Sequence, residues 1–114
     1  MKIDAMAIIL SIAGVLAVAP LAAAADAAAA EALAKKEGCL KCHAIEKKKE
    51  AMPLKEIAAK YKGKADGEAK ILQQITSGQK VKLEDGSEEE HKVIKSKDKA
   101  EISNLIGWIL SLAK

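Results

Sequence analysis

"GCLKCHAI", residues 38–45, contains both cysteines of the chain, Cys39 and Cys42, with His43 directly behind the second. Two thiols and an imidazole packed this tightly suit three kinds of chemistry: a redox dithiol, half of a zinc site, or a covalent anchor for haem. The rest of the chain has to choose among them.

At the start of the chain, Met1 and Lys2 lead into an uncharged run over residues 5–25, broken only by Pro20, that closes on "PLAAAAD". A short basic start, an apolar middle and small residues at an Ala-x-Ala end form the pattern of a secretory signal. The expected signal covers residues 1–25, with cleavage near Ala24 or Ala25, and leaves a single exported domain over 26–114. Asp4 is an unusual acid in such a segment. If retained, the run is long enough to anchor the chain, since about 20 residues span a bilayer.

The expected domain is small, and small domains usually need a bridge, a metal or a partner to supplement their core. With one Trp, one Tyr and no Phe in 114 residues, this chain lacks the side chains that normally give a core its bulk. A bound apolar cofactor could supply that bulk. Removing Lys2 and Asp4 takes away one cation and one anion, so the formal charge stays at +3, and every basic residue is lysine. The absence of arginine and the scarcity of aromatic rings argue against nucleic-acid recognition. Mild positive charge fits a soluble protein steered toward an acidic partner.

Helical start and stop signals recur along the chain. Asp26 caps "AAAAEALAKKE", with Lys35 and Lys36 in the last turn and Gly38 past its end. "PLKEIAAKYKG" opens on Pro53 at a first-turn position and places Leu54, Ile57, Ala58 and Tyr61 on one face. "DGEAKILQQITSG" runs from a cap at Asp66 to a stop at Gly78 around Ile71, Leu72 and Ile75. The last helix, "DKAEISNLIGWILSLAK", begins with Asp98 and Glu101 in capping-box spacing and carries a stripe of Ile102, Leu105, Ile106, Ile109 and Leu112, with Trp108 beside it. Between the third and last helices, residues 79–97 read as a long functional loop with a turn at "DGS". The alternative is a hairpin through 81–83 and 91–94.

This helical setting selects among the three chemistries. A thioredoxin-like dithiol belongs beside strands. A structural zinc site wants four ligands, and His43 is poorly placed to join a tetrahedron with its neighbour Cys42. A disulfide across so short a ring gains little loop entropy and leaves His43 without a role. Haem attachment uses all three residues, because Cys39 and Cys42 form thioethers and His43 rises beneath the iron, as in the C-x-x-C-H signature.

The stretches "KKEGCLKCHAIEKKKE", "LKEIAAKYKG", "AKILQQITSG" and "ISNLIGWILSLAK" resemble a small bacterial class I cytochrome c of the c-551/c-552 group. The resemblance implies an all-α fold of about four helices around one covalent haem c, with the first and last helices crossing. It also implies a periplasmic, monomeric electron carrier, not an enzyme, that serves redox protein partners. Cys39 and Cys42 are then the attachment residues, His43 is the proximal ligand and Trp108 packs near the haem. A carbonyl at Met52 or Pro53 orients His43.

The family's distal methionine is missing from residues 79–97, and His91 stands in its place. Neutral imidazole binds iron well, so the expected coordination is His43 and His91. Met52 is the alternative ligand, with Lys80, Lys82 and Lys92 ranked after it. Imidazole in place of methionine implies a lowered potential, and Glu84, Asp85 and Glu88 to Glu90 lower it further. Lys41 and Lys47 to Lys49 form an expected docking face for acidic partners. The rival reading is a haem-based sensor or binder of gas or peroxide, opened by loss of His91.

Overall fold

The computed structural model describes residues 25–113 and, apart from them, Gly14. The expected signal segment therefore lies almost wholly outside the described residues. The described elements are α1 (Ala27–Lys36), α2 (Cys39–Cys42), α3 (Leu54–Tyr61), α4 (Gly67–Ser77), β1 (Lys80–Lys82), β2 (Glu88–Glu90) and α5 (Lys99–Ser111). Helix α5 is the centre of the fold and packs on α1, α3 and α4.

Capping chemistry sets most of the helix ends. The Asp26 carboxylate accepts from the Ala29 N–H at the start of α1, and Asp98 accepts from Ala100 and Glu101 at the start of α5. The capping box expected from Glu101 takes a different route. Its carboxylate accepts from the Ser96 hydroxyl at 2.8 Å, and the Ser96 oxygen accepts from the Asp98 N–H. Asp66 precedes α4 as expected but makes no side-chain cap. Pro53 is the residue before the first turn of α3, not within it, and its extended ψ of 146° lets the chain enter the helix from the loop.

The helices bury one stripe each into a shared core. Leu33 and Ala34 come from α1, Leu54 from α3, and Ile71 and Ile75 from α4, while α5 supplies Ile102, Leu105, Ile106, Trp108 and Ile109. An amide clamp reinforces the approach of α1 to α5. Asn104 Oδ1 accepts from the Asp26 N–H at 2.8 Å, while Asn104 Nδ2 donates to the Asp26 carbonyl at 3.0 Å.

Two features depart from the expected architecture. The C-x-x-C segment is itself a helical turn, α2, so the described residues hold five helices. The region read as a loop contains a two-stranded antiparallel hairpin, in which Lys80 pairs with Glu90, Val81 with Glu89 and Lys82 with Glu88. Its strands start earlier in the chain than the 81–83 and 91–94 alternative. This register places lysine opposite glutamate at both ends, a favourable cross-strand pairing, and lets the Asp85 carboxylate accept from the Ser87 N–H in the turn. His91 therefore falls just beyond β2, where its N–H donates to the Gln79 carbonyl.

Candidate haem site

Gly38 closes α1 and opens α2 with φ at +77°, a conformation that L side chains rarely adopt. A Cβ there would also meet Lys92 Nζ at 2.6 Å. This turn brings Cys39 and Cys42 to the wall of a cavity of about 450 Å³, a volume typical of cofactor pockets. Both thiols are free and partly buried. Burial chiefly, then the charge of Glu37, pushes the Cys39 thiol up from its ordinary range. Burial also raises Cys42, whose Sγ donates to Glu50 Oε2 at 3.5 Å. Before haem is attached, both sulfurs are therefore thiols at neutral pH.

The remaining wall is largely apolar. Leu54, Ile57, Ile71, Ile75, Ile94, Leu105 and Ile109 line it from the helical side, with Val81 and Leu83 from the hairpin. Leu105 and Ile109 are four residues apart on α5 and share one face of that helix.

His43 and His91 both line the cavity, with ring centroids 6.2 Å apart and planes inclined at 39°. His43 Nδ1 lies 2.7 Å from the Met52 carbonyl and His91 Nδ1 lies 2.9 Å from the Lys92 carbonyl. A carbonyl can only accept, so each Nδ1 carries the proton and each Nε2 keeps a free lone pair. Burial first, with the nearby His43 ring contributing, holds the His91 ring below its ordinary pKa, against the opposing effect of the Lys92 carbonyl. The ring thus stays in the neutral form that binds metal.

The structure answers the question of which carbonyl orients His43. Met52 supplies it, while the Pro53 carbonyl is engaged by the N–H groups of Glu56 and Ile57. Backbone bonds from Ala51 N–H to the Cys42 carbonyl and from Leu54 N–H to the Ala44 carbonyl hold Met52 from both sides. Met52 therefore sits on the His43 side, and the residue is part of the cavity lining. Lys82 and Lys92 line the cavity as well, and Lys80 does not. Pro53 and Trp108 are buried but lie outside the lining, with Trp108 in the core cluster at 5% exposure.

Sequence reasoning did not single out Gln74. Its Nε2 is buried against the cavity with no hydrogen-bond partner, a costly state for an amide donor. The available signal was a polar residue interrupting the apolar face that Ile71 and Ile75 define on α4. Glu37, 6% exposed at the end of α1, was also passed over, and its carboxylate accepts from the Lys95 N–H at 2.7 Å.

These residues fit an iron porphyrin. Two imidazoles facing one metal through bonds of about 2 Å have centroids about 6.3 Å apart, close to the spacing of His43 and His91. The orphan Gln74 amide needs an acceptor, and the carboxylates of a haem are its acceptor groups. Cys39 and Cys42 would hold its edge.

Comparison with known proteins agrees with this chemistry. Residues 27–113 match the family model for cytochrome c. Cytochrome c2 of Rhodocyclus tenuis is 37% identical over 82 residues, covering 71% of this chain and 89% of that protein. Cytochrome c-551 of Pseudomonas aeruginosa is 44% identical over a shorter stretch of 46 residues, 40% of this chain and 44% of that protein. The crystal structure of the class 1 cytochrome MtoD from Sideroxydans lithotrophicus ES-1 superposes with a TM-score of 0.74 at 50% identity, covering 78% of this chain and 98% of that one. Wild-type cytochrome c552 of Nitrosomonas europaea gives a TM-score of 0.58 at 32% identity, covering 72% and 98%. With a family model matched over residues 27–113, a matching fold and a cysteine pair for one covalent haem c, the chain belongs to the cytochrome c family and has its class I fold.

Proposed function

We propose that this cytochrome is an exported, monomeric electron shuttle of the periplasm whose haem iron is held by His43 and His91. The observation that carries the reading is the facing imidazole pair, 6.2 Å apart, with both Nδ1 atoms committed to backbone carbonyls. Bound haem supplies a one-electron couple. The Met52 and Lys92 carbonyls orient the rings and raise their basicity. Ile71, Ile75, Leu105 and Ile109 exclude water from the cavity's inner wall, and Gln74 offers an amide N–H to a haem carboxylate. No catalytic role falls to any of these side chains. Among the described residues no helix is long and apolar enough to cross a membrane.

Imidazole on both sides favours ferric iron relative to a histidine–methionine pair, so the shuttle works at a lower potential than methionine-ligated relatives. Glu89 and Glu90 line the cavity and act in the same direction. Lys41, Lys47, Lys48 and Lys49 are exposed close to the haem motif and form the docking face for acidic redox partners. Low-temperature electron paramagnetic resonance of the oxidised protein tests the ligation: low-spin iron with bis-imidazole g values is expected. High-spin iron, or rapid carbon monoxide binding by the reduced protein, would instead favour a gas or peroxide sensor.

A further inference from the structure

Met52 combines three properties that no other described residue shares. Met1 and Met6 lie outside the described residues, so it is the one methionine among those described. Met52 is among the residues that line the haem cavity, and it is 38% exposed, so a small oxidant can reach the side chain. Its backbone is pinned on both sides, by Ala51 N–H to Cys42 O at 3.0 Å and by Leu54 N–H to Ala44 O at 2.9 Å, so the carbonyl that holds His43 is insulated from events at the side chain.

We propose that Met52 is a modification site at which hydroperoxides convert the thioether to the sulfoxide and thereby lower the potential of the haem. In the reaction the sulfur lone pair attacks the terminal peroxide oxygen, an S–O bond forms as the O–O bond breaks and sulfur loses two electrons, while the other peroxide oxygen takes the proton of the transferred one and leaves as water from hydrogen peroxide or as the alcohol from an organic hydroperoxide. Sulfoxide formation turns a flexible apolar side chain into a polar one. Polarity and solvent access around a metal site set its potential. A polar S–O dipole on the cavity wall stabilises the extra positive charge of ferric iron, and the potential falls. Because the Met52 carbonyl stays bonded to His43, the axial ligands do not change. Trp108 is buried and both cysteine sulfurs are committed once haem is attached, so the competing oxidisable side chains are protected.

This inference rests on the haem reading above, and the test separates the two. The oxidised holoprotein is treated with dilute hydrogen peroxide, then analysed by intact mass, peptide mass mapping, redox titration and electron paramagnetic resonance. The expected result is a gain of one oxygen at Met52, a downward shift in midpoint potential and unchanged low-spin g values. Methionine sulfoxide reductase restores the original potential, and a Met52→Leu variant, which keeps the side chain's volume, takes up no oxygen and shows no shift. An unoxidised Met52 under conditions that oxidise free methionine would overturn the proposal, as would a sulfoxide form with an unmoved potential. A chain whose mass lacks the tetrapyrrole would remove the haem reading and this inference together, a result distinct from failed oxidation of an intact holoprotein.

Discussion

A proton added to His91 would have to enter a partly buried site facing His43, and burial is the chief reason the ring is held below its ordinary range. In the interval between the lowered folded value and the unfolded value, the unfolded chain binds more protons at this ring than the folded chain. Stability therefore rises with pH across that interval. The contribution of His91 is complete above the unfolded pKa of about 6.5 and is lost as pH falls through it toward the folded value. In the holoprotein the iron would hold the same ring nitrogen and oppose protonation in the same direction, so thermal melts on either side of that value should show a falling midpoint on the acid side, with a shallower fall for a His91→Met variant. The same variant should have a higher midpoint potential by redox titration, by some fraction of the ~0.8 V that axial ligands can span. A lower potential in His91→Met would contradict imidazole ligation at this position. Coordination chemistry restricts which side chains can bind iron and so put His43 and His91 forward in the sequence, and the structure brings both to one cavity. Gln74 was not legible in this way, because a glutamine in a helix gives no sign that its amide lacks a partner until neighbouring elements close over it.

Helix boundaries were read well where a side chain meets orphan backbone groups, and less well where they depend on longer contacts. Asp98 bonds two N–H groups at the start of α5, so Asp98→Ala should cost about 1 kcal/mol, measured by denaturant unfolding. Since α5 packs against three other helices, that loss should appear in global unfolding and not as local fraying. Gly67, buried in the first turn of α4, leaves no room for a Cβ against the Tyr61 carbonyl. Gly67→Ala should lower stability by about 1–3 kcal/mol through overpacking, despite alanine's better helix propensity. The hairpin escaped a periodicity search because its strands are three residues long and β2 is all glutamate and exposed at each position. Its register comes from opposite charges across the strands and an aspartate–glycine turn, signals that hydrophobic patterning does not capture. Trp108 shows the converse limit: a large residue near an apolar stripe is readily assigned to the core, yet the stripe alone does not say whether it reaches the cofactor.

At the scale of the molecule, lysines and acids both contribute to the cavity lining. Lys41, inside the motif, and Lys47 to Lys49, just after it, are exposed, while Glu50 accepts from Cys42 and Glu89 and Glu90 line the cavity. Lys49 is partly committed, since its Nζ donates to the Leu40 carbonyl at 3.1 Å. Electron transfer to an acidic partner should slow as ionic strength rises, because screening shortens the reach of these charges. Charge reversal at Lys47 and Lys48 should weaken that salt dependence, as measured by stopped-flow over a salt series. An unchanged salt profile would make the run a solvated surface with no part in docking. The whole-molecule organisation was the most legible level, since capping signals mark the helices while a covalent attachment motif and a shortage of aromatic rings both point to one bulky apolar guest among them.

The left-handed turn at Gly38 also sets the mutational tolerance of the attachment segment. Leu40 and Lys41, between the cysteines, are partly buried and exposed respectively, and a library randomised there should yield many coloured clones. Position 38 should accept glycine almost alone, because any other side chain meets both an unfavourable backbone angle and the Lys92 ammonium. A single residue with no functional group of its own thus governs whether the segment is presented to the cofactor at all.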